Sequence, residues 1–437
     1  MQPVRLAAAL TLIALLPASA IEREPAHVYR NRRRELARKH FDGVILLFGY
    51  GEKEAQSPRS HFYQESNFYY LTGWDEPGAA LLLVPPKPPD HAYREVLFMP
   101  LVNPAAERWT GPRTHAGTPD SGLKTGFDEV SEEAALFSAV EAALGVHPKL
   151  YSVLWKASSY GQQPEPDRRD RLRQLAPEHE PLDLRPTLTR MRSIKSASEI
   201  ALIQKAVDAT AAAHRRAWTD VRPGRFEYQI MAPMLAELIS RGCLRPAYPP
   251  IIGSGPNATV LHYIRTSRRL EPGELVLMDV GGEYAHYAAD ITRTVPVSGE
   301  FSSRQRKIYE LVLGAQQAVI AAVKPGMKLG GHGRESLHHV AMRHFEKHGR
   351  EVLDGAVGNL FPHGIGHHVG LEVHDPAGPG VPLEPGMVIT VEPGLYFSEE
   401  GLGVRIEDMV LVTPGGARVL SESLPRTVHE IERAMRK

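Results

Sequence analysis

Four carboxylates occupy places where a β-strand should be apolar. Asp279 interrupts Leu275-Val-Leu-Met-Asp-Val280, and Asp290 enters the strand-like run Ala289–Val295. Glu392 ends Met387-Val-Ile-Thr-Val-Glu392, and Glu407 interrupts the run Val404–Val412. A charge inside an apolar strand is costly unless it is paired or bound to a cation. One such residue is explained by an edge position or an arginine partner. Four gathered together would repel one another and raise their own pKa values unless a cation compensates them.

An imidazole source lies in HGIGHHVGLEVHD at 363–375, which holds His363, His367, His368 and His374. Carboxylates plus one imidazole is the mixture that first-row divalent metals favour. With no sulfur ligand in the set, two hard or borderline ions suit it better than one structural zinc. The glycines at 364, 366 and 370 let the backbone pass close to such ions. Other chemistries lack their motifs. No HExxH helix, GxGxxG turn, GxxxxGK[ST] loop or GxSxG elbow is present.

The elements that must position these residues alternate along the chain. A helix is expected over 28–40, strands over 43–48, 79–84 and 95–99, a helix over 133–143 and a short strand over 151–155. The Pro85–Pro89 run breaks the second strand from the third. This describes an α/β domain over 21–185, with a junction in Pro186–Ser196. Ser196-Ala-Ser-Glu199 has capping-box spacing and opens a helix expected to run to about Asp220. Further helices are expected over 231–239 and 303–323, whereas 355–362 shows no periodicity. The strands that carry the four carboxylates read as antiparallel. Residues 190–437 are therefore α+β rather than a doubly wound sheet.

With 437 residues, both domains can bury a core of their own. Lys plus Arg equals Asp plus Glu at 51 each, so nothing in the total charge points to nucleic acid. The basic run RNRRR at 30–34 reads as a solvated helix face. Arg5, an apolar stretch over 6–16 and Ala18-Ser19-Ala20 have the form of a signal peptide over 1–20. Cleavage after Ala20 would export the protein to the periplasm or beyond the cell, with no membrane span left in the mature chain. The single cysteine, Cys243, cannot form an intrachain disulfide and reads as a small residue near a helix end.

The stretches LHY at 261–263, LVLMDVGGEYAHYAADITRTVPVSG at 275–299, HGIGHHVGLEVHD, TVEPGLY at 390–396 and GVRIEDMVLVT at 403–413 resemble the Xaa-Pro peptidases of the pita-bread fold. That family comprises the Xaa-Pro aminopeptidases (aminopeptidase P) and prolidases. SHFYQESNFYYLTGWDEPGAALLL at 60–83 is similar to the smaller N-terminal domain of the same peptidases. The resemblance implies a pita-bread catalytic domain like those of creatinase and methionine aminopeptidase. It also implies two divalent ions, with manganese expected and zinc or cobalt as alternatives. Asp279 would chelate one ion, Asp290 and Glu407 would bridge both, and His367 and Glu392 would complete the second. A hydroxide shared by the two ions would attack the carbonyl before proline, with Glu392 moving the proton. His262 and His374 would contact the scissile carbonyl and the leaving proline, while His363 and Arg405 would line the substrate pocket. Strand alternation should place Arg405 on the face that carries Glu407.

The implied substrate is a peptide with proline second. Prolidase, restricted to dipeptides, is the alternative, and a metal-free peptide-binding relative is a further one. Homo-dimers or homo-tetramers are compatible with the family. Where many aminopeptidase P sequences carry tryptophan after the ligand histidine, this chain has His368, read as a solvent-facing or packing residue.

Overall fold

The computed structural model describes residues 22–51, 62–154, 166–353 and 357–436. The expected signal segment, 1–20, lies outside them. In the N-terminal part a mixed sheet of six strands runs in the order 130–132, 94–99, 80–84, 43–48, 149–152, 182–183. Every residue of Gly43–Phe48 is buried, because helices cover both faces. That is why this strand reads as continuously apolar rather than alternating.

Helix Ala26–Lys39 departs from the expected solvated basic face. Arg32 and Arg33 are buried. The guanidinium of Arg33 donates to both oxygens of Glu95, at 2.9 and 2.8 Å. Arg32 pairs with Glu24 at 2.6 Å and Glu199 at 3.1 Å. A buried guanidinium is tolerated when its fork is matched by carboxylates in this way.

The 186–196 segment is largely a helix, Arg185–Ser193, with proline in its first turn where no amide bond is lost. The capping box then forms, with the Glu199 amide donating to Ser196 Oγ and the Ser196 amide to Glu199 Oε2. It opens the helix Ala197–Trp218. This helix packs against Glu227–Ser240, which starts four residues before its expected position at 231. The reason is tertiary: the buried Glu227 carboxylate accepts from the Ser254 amide at 2.7 Å and from Asn257 at 3.0 Å. Helix Ser303–Ala322 packs against Leu337–His348, a helix not anticipated from the sequence. Within the aperiodic 355–362 stretch, Val357–Leu360 forms one helical turn.

Of the runs expected as single strands, 404–412 is broken at its carboxylate and 289–295 is shortened past its own. Strand Leu402–Arg405 pairs with Gly394–Phe397, whereas Asp408–Thr413 pairs with Val388–Val391, leaving Ile406 and Glu407 between the two sheets. The other strand, Thr292–Pro296, starts two residues after Asp290, which lies between it and Tyr287–Ala288 of a different sheet. Thr292 sits opposite Asp279, and Val391 opposite Asp408. The Glu407 amide donates to Thr292 O at 3.1 Å and joins the two antiparallel pairs. The α+β architecture expected of the catalytic half is therefore present.

Candidate metal centre

At this meeting of strand ends lies a cavity of about 490 Å³. All nine residues singled out in the sequence line it: His262, Asp279, Asp290, His363, His367, His374, Glu392, Arg405 and Glu407. The floor is acidic and withdrawn from solvent, with Asp279, Asp290 and Glu407 all buried. His262 and His374 stand on the exposed rim, and Ile251, Leu261 and Ile264 provide an apolar wall. His368 does not reach the cavity. It is fully buried, which settles its place as a packing residue, and neither ring nitrogen has a hydrogen-bond partner.

Ligand atoms of Asp290, His367 and Glu407 lie within 4.8 Å of one another. His367 Nε2 is 3.3 Å from Asp290 Oδ2 and 3.5 Å from Glu392 Oε1. Two threonines hold these groups in place. Thr390 Oγ1 accepts from the His367 amide at 3.0 Å and donates to Glu392 Oε1 at 3.2 Å. Thr292 Oγ1 donates to Glu407 Oε2 at 2.6 Å. A Cβ at Gly366 would collide with the carbonyl of Thr390, so the close approach of this loop to the strand requires glycine.

Arg405 and Glu407 both face the cavity, but not through strand alternation, since the strand ends between them. Arg405 Nη2 donates to Asp279 Oδ2 at 2.6 Å and Nη1 to Tyr396 Oη at 2.8 Å. His363 Nε2 lies 2.9 Å from the same phenol. Tyr248 donates to the carboxylates of Asp279, at 2.6 Å, and of Asp290. Tyr248 and Tyr396 were not singled out in the sequence. Tyr396 ends the TVEPGLY stretch and could have been found there, but Tyr248 lies outside every motif.

The titration behaviour is that of a crowded, buried acidic cluster. Burial pushes Asp279 up to about 7; Arg405 opposes this and the Asp290 charge adds to it. Glu407 is raised well above the usual range by burial and by Asp290, Glu392 and Asp279. Burial also raises Glu392. His367 goes the other way: burial would lower it, but Asp290 and Glu392 raise it to about 9. Asp290 is held low because the His367 contact outweighs burial. Burial and the nearby Arg405 lower His363 to about 4, and burial followed by His367 lowers His374. A proton on His367 thus supplies part of the positive charge that a divalent ion would supply. Oxygens from four carboxylates, three of them buried, with one imidazole and no thiolate, fit such ions.

Comparison with known proteins agrees with this geometry. Residues 201–414 match metallopeptidase family M24, and residues 29–151 match the N-terminal domain of aminopeptidase P. The chain is 37% identical to the Xaa-Pro aminopeptidase of Haemophilus influenzae, over 94% of this chain and 97% of that one. It is 34% identical to the Xaa-Pro aminopeptidase of Escherichia coli, over 93% and 97%. Proline aminopeptidase P II from Yersinia pestis superposes with a TM-score of 0.83 at 31% identity, covering 94% of this chain and 99% of that one.

Proposed function

Since the chain belongs to the Xaa-Pro aminopeptidase/prolidase family of pita-bread metallopeptidases, we propose that it releases the first residue from peptides with proline second. The observation that carries this reading is the convergence of four carboxylates with His367 at the floor of one cavity. The protein is a metal-dependent aminopeptidase. Our finer reading is two ions, manganese first, held by Asp279, Asp290, His367, Glu392 and Glu407. When bound, they supply Lewis acidity toward the scissile carbonyl and an activated water.

The remaining work falls to the side chains. An Xaa-Pro bond has no amide hydrogen, so the pocket must hold the carbonyl instead. In this reading His262 and His374, on the rim, donate to it as negative charge develops. Glu392, with its raised affinity for protons, can accept one from water and pass it to the proline nitrogen, which must be protonated before it leaves. His363, Tyr396 and Arg405 form a hydrogen-bonded wall that positions the substrate and keeps Asp279 in place.

The test compares Gly-Pro-Pro with Gly-Pro, using protein stripped by a chelator and reloaded with manganese. Release of glycine from the tripeptide, abolished by stripping and restored by metal, is expected. Activity on the dipeptide alone would make the protein a prolidase, and no hydrolysis of either with bound metal would refute an enzyme. Export is a further part of this reading. The mature protein recovered from the periplasm or medium should begin at Ile21, and an intact residue 1 there would refute cleavage.

A further inference from the structure

The loop between His367 and His374 is held from outside the cavity. Residues 367–369 run beside the strand Val388–Val391: the Thr390 amide donates to His367 O and the Val369 amide to Val388 O. The chain then leaves the strand and returns. The Asp375 amide closes the excursion by donating to His368 O at 2.9 Å. At its apex the Gly370 carbonyl accepts from the Ala288 amide at 2.8 Å, two residues before Asp290. His374 is thereby presented to His367, with ring centroids 4.2 Å apart.

The side chain of Asp375 does not point at the metal centre. It is buried, and each oxygen is held by a different cation from the segment that follows the helix Arg185–Ser193 or ends it. Arg192 Nη2 donates to Oδ1 at 2.7 Å and Lys195 Nζ to Oδ2 at 3.0 Å. All three side chains are 3% exposed or less, so the pairings are shielded from water. Arg192 spends its other terminal nitrogen on Asn67 Oδ1 at 2.8 Å, and Asn67 in turn donates to Glu65 Oε1 at 2.9 Å. Both belong to the N-terminal domain. The fit is tight from the loop side too, because a Cβ at Gly370 would lie 2.6 Å from Asp375 Oδ2.

We propose that Asp375, clamped by Arg192 and Lys195, is a positioning residue that sets the imidazole of His374 over the cavity. Through Asn67, Arg192 ties that position to the N-terminal domain. The inference rests on the reading of His374 as a substrate-contacting group. A carboxylate held at both oxygens cannot rotate, and its amide fixes the backbone one residue after His374. Loosening the clamp therefore displaces His374, whereas the four carboxylates of the metal site, held by Thr390, Thr292, Tyr248 and Arg405, stay where they are. A misplacement of up to about 1 Å costs about 10- to 100-fold in turnover.

A double-mutant cycle tests it, with kcat, KM and metal stoichiometry measured for Asp375→Asn, His374→Ala and the pair. The expected result is a fall in kcat for Asp375→Asn, with KM within about twofold and metal content unchanged. The same substitution should cost nothing further in the His374→Ala background. If Asp375→Asn does not fold, Arg192→Lys takes its place, keeping the charge while losing the fork that reaches both Asp375 and Asn67. Asn67→Ala, which spares the Asp375 pairs, should give a smaller fall of the same kind. Undiminished loss in the His374→Ala background, or loss of metal in step with activity, overturns the proposal. A His374→Ala protein as active as the parent would instead overturn the role assigned to His374.

Discussion

Metal binding at this centre should be strongly coupled to proton release. A divalent ion binds the ionised carboxylates and the neutral imidazole, so every proton held by the metal-free cluster must be displaced. His367, raised to about 9, is protonated at neutral pH, and Asp279, at about 7, takes up its proton as pH falls through neutrality. Between pH 8 and pH 6 the histidine alone weakens apparent affinity about 90-fold and the aspartate about tenfold. Together they give roughly a thousandfold, to which Glu407 adds in the same direction. Competition against a chelator of known pH dependence would give the affinities. Calorimetry in buffers of different ionisation enthalpy would count the protons, expected to be two or more near pH 7. An affinity that changes less than tenfold between pH 8 and pH 6, or release of less than one proton, would refute the account of the cluster.

Tyr248→Phe removes the hydroxyl that bridges Asp279 and Asp290 without opening a cavity. Metal affinity should fall about 10- to 100-fold by equilibrium dialysis at an unchanged melting temperature of the metal-free protein; unaltered affinity would show the bridge to be idle. His368→Phe concerns stability. Burial lowers His368 to about 4, so the folded state resists a proton that the unfolded chain accepts at about 6.5. Its contribution is intact above pH 6.5 and is lost as pH falls toward 4, amounting to about 2 kcal/mol at pH 5. Phenylalanine has no such loss and leaves no unpartnered nitrogen. Urea unfolding of the metal-free proteins should therefore show a larger gain for the variant at pH 5 than at pH 7.5, and an equal gain at both would contradict the assignment.

The candidate metal-site carboxylates were legible because each is a local contradiction. Asp279 in Leu-Val-Leu-Met-Asp-Val and Glu407 in Val-Arg-Ile-Glu-Asp-Met oppose the apolar run around them, and that cost is readable without coordinates. The capping box at Ser196 was legible for the same reason, since both partners lie within four residues. RNRRR misled, because the partners of Arg32 and Arg33 stand at positions 24, 95 and 199. No local pattern reports whether a guanidinium will meet a carboxylate 62 residues away.

The sequence by itself determined which carboxylates and which histidine stretch are candidates for a metal site, and the family to which the chain belongs. Only the tertiary structure decided that one strand breaks at Glu407 and another starts only after Asp290, that Tyr248 completes the acidic floor, and that His368 is buried away from it. It also decided that Asp375 is gripped from the junction between domains. The physical reason is common to all four. Strand breaks, hydrogen-bond partners and burial depend on which distant segments come together, and composition and spacing along the chain do not carry that information.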